Sequence, residues 1–103
     1  MAATLQAGTM KLGSLKETIL RALQPLQNGD ANFTPEMVVV LAWRGDKEKF
    51  GLKGFEQIHP DSNKILSNIW GRKGLLGRGY LELSGVRRLK LTDKGKQFGR
   101  EQK

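Results

Sequence analysis

The chain has 103 residues, of which 38% are hydrophobic and 27% charged, with no cysteine and a formal net charge of +8. That length supports one domain with a core of its own, and the missing thiols exclude disulfide scaffolds, thiolate metal sites and cysteine catalysis, which suits a reducing cytoplasm. No apolar run approaches the roughly 20 residues that span a bilayer and residues 1–10 lack the basic-then-apolar order of a secretory leader, so a cytoplasmic protein without a membrane partner is expected.

The charge is unevenly placed. Residues 1–71 hold eight basic and seven acidic side chains, whereas residues 72–103 hold ten basic and three acidic, a local net of +7. A concentrated positive field draws polyanions to that part of a surface.

In chain order, residues 1–13 read as a flexible lead-in. Ser14-Leu15-Lys16-Glu17 has the capping-box form, and Leu15, Ile19, Leu23 and Leu26 recur at helical spacing, so a helix is expected over 15–26, stopped by Pro25 and Asn28-Gly29-Asp30. Thr34-Pro35-Glu36 is a second helix start: a capping hydroxyl, a proline that needs no amide in the first turn, and a carboxylate near the positive end of the dipole. This start outweighs the strand preference of Val38-Val39-Val40. The helix is apolar on most sides, which places Val39, Val40 and Trp43 in a core. Arg44-Gly45-Asp46 ends it, and without a secretion signal that tripeptide is read as a helix stop rather than an integrin motif.

Residues 50–58, with Phe50, Leu52, Phe55 and Ile58, form a weaker helical stretch blemished by Gly51 and Gly54. After His59-Pro60, a strong helix is expected from Asp61 or Ser62 to about Lys73, with Gly74 in the left-handed position beyond its end. Ile65, Leu66, Ile69 and Trp70 share one side of its wheel, and Asn63, Lys64, Ser67, Asn68 and Arg72 the other. The period then changes to two. Residues 80–83 and 88–91 alternate around Ser84-Gly85 and predict a hairpin with Leu81, Leu83, Leu89 and Leu91 on its greasy face. Thr92 caps a final short helix over 93–99, and residues 100–103 form a fraying tail. No repeat or domain boundary interrupts 14–99.

The closing half carries a resemblance. Ile65-x3-Ile69, Gly74-Leu75-Leu76, the hairpin, and Leu89-x-Leu91-Thr92-x2-Gly95-x2-Phe98 are similar to the end of a winged helix-turn-helix domain. They resemble in particular bacterial repressors of the multiple-antibiotic-resistance and phenolic-acid types, over residues 50–99. The glycine-rich Gly77-Arg78-Gly79 and the 50–58 stretch depart from that pattern, and the long dimerisation helices of the antibiotic-resistance type are absent. The resemblance implies an α+β, mainly helical fold: four helices, a two-stranded β-hairpin wing and a short C-terminal helix. It also implies sequence-specific or architectural binding of double-stranded DNA, by a small transcriptional regulator that is not an enzyme.

The residues suit that chemistry. A recognition helix must bury one face and offer polar side chains to the major groove. Asn63, Lys64, Ser67, Asn68 and Arg72 form such a set, and Arg87, Arg88 and Lys90 on the wing, with Lys73 and Arg78 at its flank, can reach phosphates. The bland alternative is the solvated side of an amphipathic helix. The lone His59 reads as a turn residue, and no metal-ligand or cofactor pattern is present. Trp43 and Trp70 fall on apolar faces and are assigned to the core rather than to base stacking. Two readings compete with duplex DNA. One is a winged helix module that binds protein through an apolar patch. The other is single-strand or RNA binding, for which Tyr80 is the obvious aromatic. A homodimer through Leu15, Leu20 and Leu26 on the first helix is a further expectation.

Overall fold

The computed structural model describes residues 13–26 and 32–101, with side chains through residue 98. It is an α+β arrangement with five α-helices and one antiparallel hairpin among the described residues. All of the expected 1–13 lead-in except Gly13, and the Asn28-Gly29-Asp30 stop, lie outside them.

Helix α1, Ser14–Leu23, continues as a 3-10 turn, Gln24–Leu26. The capping box does not form. Gly13, at φ 102°, is the cap residue, and its carbonyl receives the Glu17 amide at 3.1 Å. Ser14 is already helical, and its hydroxyl accepts the Lys49 ammonium at 2.8 Å. Helix α2, Pro35–Gly45, starts where Thr34-Pro35 predicts, with Thr34 Oγ1 accepting the Met37 amide at 3.2 Å. Its buried residues are Pro35, Val38, Val39 and Ala42, an i, i+3, i+4, i+7 stripe. Val40 therefore falls outside the core, 39% exposed. Trp43 is half-buried, its indole donating to the Glu56 carbonyl at 2.8 Å with the Lys47 ammonium over its ring.

The expected 50–58 helix is instead one short helix before a loop. Helix α3, Lys47–Phe50, is capped by Asp46 and ends at Gly51. A Cβ on Gly51 would lie 2.4 Å from the Glu56 backbone, so the chain turns back there. Gly51 bridges Pro60, and Leu52, Phe55 and Ile58 point outward from the turns between. Within this loop the Glu56 carboxylate accepts its own amide and that of Gly54, which holds its pKa below the ordinary 4.5.

Helix α4, Ser62–Leu66, begins on Asp61, whose carboxylate accepts the Lys64 amide. It does not run to Lys73. The Asn68 and Ile69 amides bond three residues back, tightening the chain into a 3-10-like turn, and Gly71 leaves it at φ 87°. Gly71, not Gly74, is the left-handed residue. Ile65 and Ile69 remain fully buried, but the tightened turn rotates Trp70 off the core face, 42% exposed.

Strands β1, Leu81–Gly85, and β2, Arg88–Leu91, pair antiparallel with Leu81 opposite Leu91 and Leu83 opposite Leu89, and with an irregularity between Leu83 and Gly85. Leu81, Leu89 and Leu91 are buried as the alternation requires. Leu83 is 61% exposed, as the whole run from Glu82 to Arg88 is exposed. Phe33 bridges Leu89 on the other edge of β2 through two amide–carbonyl bonds of 2.9 and 2.7 Å. Helix α5, Asp93–Glu101, runs past the predicted end at residue 99. Thr92 caps it by accepting the Gly95 amide and donating to the Gly79 carbonyl. Phe33, Phe50, Ile19, Leu23, Ile65, Ile69, Leu75 and Leu89 form the centre of one core that joins α1, α2, α4 and the hairpin base.

Candidate nucleic-acid interface

Helix α4 presents Asn63 and Ser67 outward, since Ile65 and Ile69 commit the opposite side to the core. Asn63 is exposed, with no side-chain hydrogen bond among the described residues. Ser67 is exposed and donates only to the Lys64 carbonyl one turn back. Arg72 and Lys73 follow on the exposed turn beyond Gly71, and neither forms an ion pair among the described residues.

Two members of the predicted helical set are otherwise engaged. The Lys64 ammonium donates to the Lys49 carbonyl at 2.6 Å. The Asn68 amide donates to the Lys64 carbonyl at 2.7 Å and accepts the Lys16 ammonium at 3.0 Å. With both ends of its amide occupied, Asn68 is poorly placed for the bidentate adenine contact its residue type suggests. The wheel could not show the contacts with Lys49 and Lys16, because those partners come from distant elements.

The same contacts reveal a cationic flank that lies outside the basic C-terminal third. Lys49 reaches Ser14 and Thr18 on α1, Lys16 reaches Asn68, and Lys64 folds over Lys49. Three ammonium groups thus gather beside α4 with no ion-pair partner among the described residues. The sequence signal was weak: Lys16 and Lys49 lie in a stretch whose net charge is near zero.

On the other side of α4 lies a cleft of about 390 Å³, lined by Pro35, Glu36, Val39, Val40, Ser62, Leu66, Trp70 and Arg87. Residues of α2, of α4 and of the hairpin turn line this one depression. The turn residue Arg87 has φ 54°, the left-handed region, and its guanidinium pairs with the Glu36 carboxylate on α2. Arg87 is therefore not the unopposed wing cation expected from sequence. Arg88 is exposed without an ion pair among the described residues, and Lys90 lies 3.9 Å from Glu82 across the hairpin. Arg78 is half-buried, and its carbonyl receives the Lys94 ammonium, which also sits over the Tyr80 ring. Tyr80 in turn packs edge-on against Phe98, so it is no free stacking platform. The exposed aromatics are Phe55 and Trp70.

Among the described residues no three His, Cys, Asp or Glu side chains converge as metal ligands, and no helix is long and apolar enough to cross a membrane. No family model, curated protein or solved structure matches the chain.

Proposed function

We propose that this chain is a winged helix-turn-helix domain that binds double-stranded DNA, acts as a small cytoplasmic transcriptional regulator, and performs no catalysis. The observation that carries the reading is the setting of α4. Its exposed edge, Asn63 and Ser67, lies between the Lys16, Lys49 and Lys64 flank and a cleft that Arg87 of the hairpin turn also lines. Short polar side chains on a helix suit base edges, and cations to either side suit phosphates. The Phe33–Leu89 bridge adds support, because it seats the hairpin against the chain that leads into α2. Arg72 and Lys73 beyond α4 and Arg88 on the hairpin are exposed cations without an ion pair among the described residues.

The test is duplex binding across a salt series. About three phosphate contacts give a log–log slope near −3. Arg88→Ala should weaken binding to every duplex and reduce the slope by about one. Asn63→Ala should cost roughly 1–3 kcal/mol on a site selected from a random pool, and little elsewhere. Absence of duplex binding at low salt would overturn the proposal.

A second reading, a module that binds protein, has one observation in its favour. Beside α2 lies a wholly apolar groove formed by Leu26, Met37, Val40 and Leu41 at the foot of Glu36. A DNA contact does not require such a groove.

A further inference from the structure

Val40 stands between two depressions. On one side is the cleft floored by Val39, Leu66 and Trp70, and on the other the groove of Leu26, Met37 and Leu41. Glu36, Val40 and Arg44 are spaced four residues apart on α2, and all three are exposed. They form one i±4 ridge with a groove along each side. Its centre is apolar, its N-terminal end acidic and its C-terminal end basic. Arg44 has no ion-pair partner among the described residues.

We propose that this ridge is the self-association surface of the chain, and that its occupant is a second copy packed antiparallel about Val40. Two i±4 ridges interdigitate when helices cross at about −50°. A two-fold axis near Val40 then lays each ridge in a groove of the other copy, as an isologous contact requires. The same operation sets Glu36 of one copy beside Arg44 of the second, twice. A parallel arrangement would instead place Glu36 beside Glu36 and Arg44 beside Arg44. The pattern is thus complementary to itself in one orientation only, and no other partner is needed to account for both its apolar centre and its charged ends. Glu36 keeps its contact with Arg87, since a carboxylate has acceptor sites for two guanidinium groups.

The face expected from the sequence, on the first helix, loses its central member to the core. Leu20 is fully buried, and Leu15 and Leu26 are each partly buried against the core, Leu26 also lining the groove beside Val40. A contact built on one helix and the Trp70 shelf falls in the small class of interfaces, below about 1,200 Å² in total. The association is therefore reversible and set by concentration. It goes beyond the DNA-binding proposal and does not depend on it.

Sedimentation equilibrium of the full chain without DNA tests the inference, from about ten to several hundred micromolar. The weight-average mass should rise toward that of a dimer. Val40→Asp should abolish the rise, and Arg44→Glu should weaken association by about ten-fold or more, because it sets like charges together at both ends. Glu36→Arg should do the same. An equimolar mixture of the Arg44→Glu and Glu36→Arg chains should associate again, since every facing pair is then of opposite sign. Circular dichroism confirms that each variant is folded. Should Glu36→Arg fail to fold, Arg44→Glu and Val40→Asp decide the matter, since both alter exposed positions. A monomer at every concentration overturns the proposal, as does a dimer indifferent to Val40→Asp and Arg44→Glu, or a mixture of folded variants no more associated than its components.

Discussion

Two glycines three residues apart should respond to alanine for different reasons and by different amounts. Gly71 sits at φ 87° with nothing within 4 Å of where a Cβ would be. Gly71→Ala should therefore incur only the left-handed backbone penalty, about 1–2 kcal/mol. Gly74 has ordinary dihedrals and no room: a Cβ there would lie 2.3 Å from the Trp70 carbonyl oxygen and 2.5 Å from that of Ile69. Those obstacles are backbone, so the chain itself must move. The adjoining hydrogen bonds, Leu75 amide to Asn68 carbonyl at 2.9 Å and Leu76 amide to Ile69 carbonyl at 3.0 Å, would be the first to lengthen. Overpacking of this kind costs about 1–3 kcal/mol, and weakening two such bonds adds roughly 1 kcal/mol each at most. Gly74→Ala should then destabilise by about 2–5 kcal/mol, and Gly74→Asn by at least as much, whereas Gly71→Asn should be milder than Gly71→Ala because Asn tolerates the left-handed region. Urea titration followed by circular dichroism measures all four, with midpoints compared at constant slope. If Gly74→Ala is milder than Gly71→Ala, or Gly74→Asn is tolerated as a left-handed site would tolerate it, the assignment of the two roles is wrong.

Releasing Arg87 should strengthen DNA binding. Glu36→Gln removes its counter-charge, and the salt slope should steepen by up to one, while stability falls by only about 0–1 kcal/mol as for other exposed pairs; an unchanged slope would mean that Arg87 does not face the duplex. Glu56 should lend the 51–60 loop a pH-dependent increment of stability. Its folded pKa is lowered, so the increment is complete above the ordinary carboxylate value of 4.5 and is lost as the pH falls through the lowered one. The urea midpoints of the parent chain and Glu56→Gln should accordingly differ near neutrality and converge in acid; a gap that stays constant with pH would count against the carboxylate as its source.

What the sequence made legible was governed by local chemistry. Thr34-Pro35 announces α2 because cap, proline and dipole all act within one turn, and Thr92 announces α5 in the same way. The hairpin is legible because Leu81, Leu89 and Leu91 alternate strictly. Ser14 and Glu17 had the form of a cap without its function, since Lys49, remote in sequence, holds the Ser14 hydroxyl. The bridge at Phe33 has no period to betray it, being a single pair. The extent of α4 is not legible because residues 67–70 contain nothing that breaks a helix, whereas the chain tightens there before it reaches Gly71. The candidate site suffered likewise. Asn63 and Ser67 are where the wheel puts them. Lys64, Asn68 and Arg87 also carry the expected chemistry, but they spend it on Lys49, Lys16 and Glu36, partners that only the folded chain supplies.

The Phe33–Leu89 bridge has a consequence for how the protein comes into being. A ribosome releases the chain from its N-terminus, and Phe33 emerges long before β2. Until Leu89 follows, the Phe33 amide and carbonyl lack their partner and its ring lacks one wall of the core it finally occupies. Gln24 waits too, for the Gly95 carbonyl on α5. Closure of the core by the last-made segment is a non-local step, of the kind that slows folding and leaves apolar surface open in the interval. A nascent chain arrested between Leu66 and Leu89 thus holds all the residues of α1, α2 and α4, yet not the strand against which the segment entering α2 must pair.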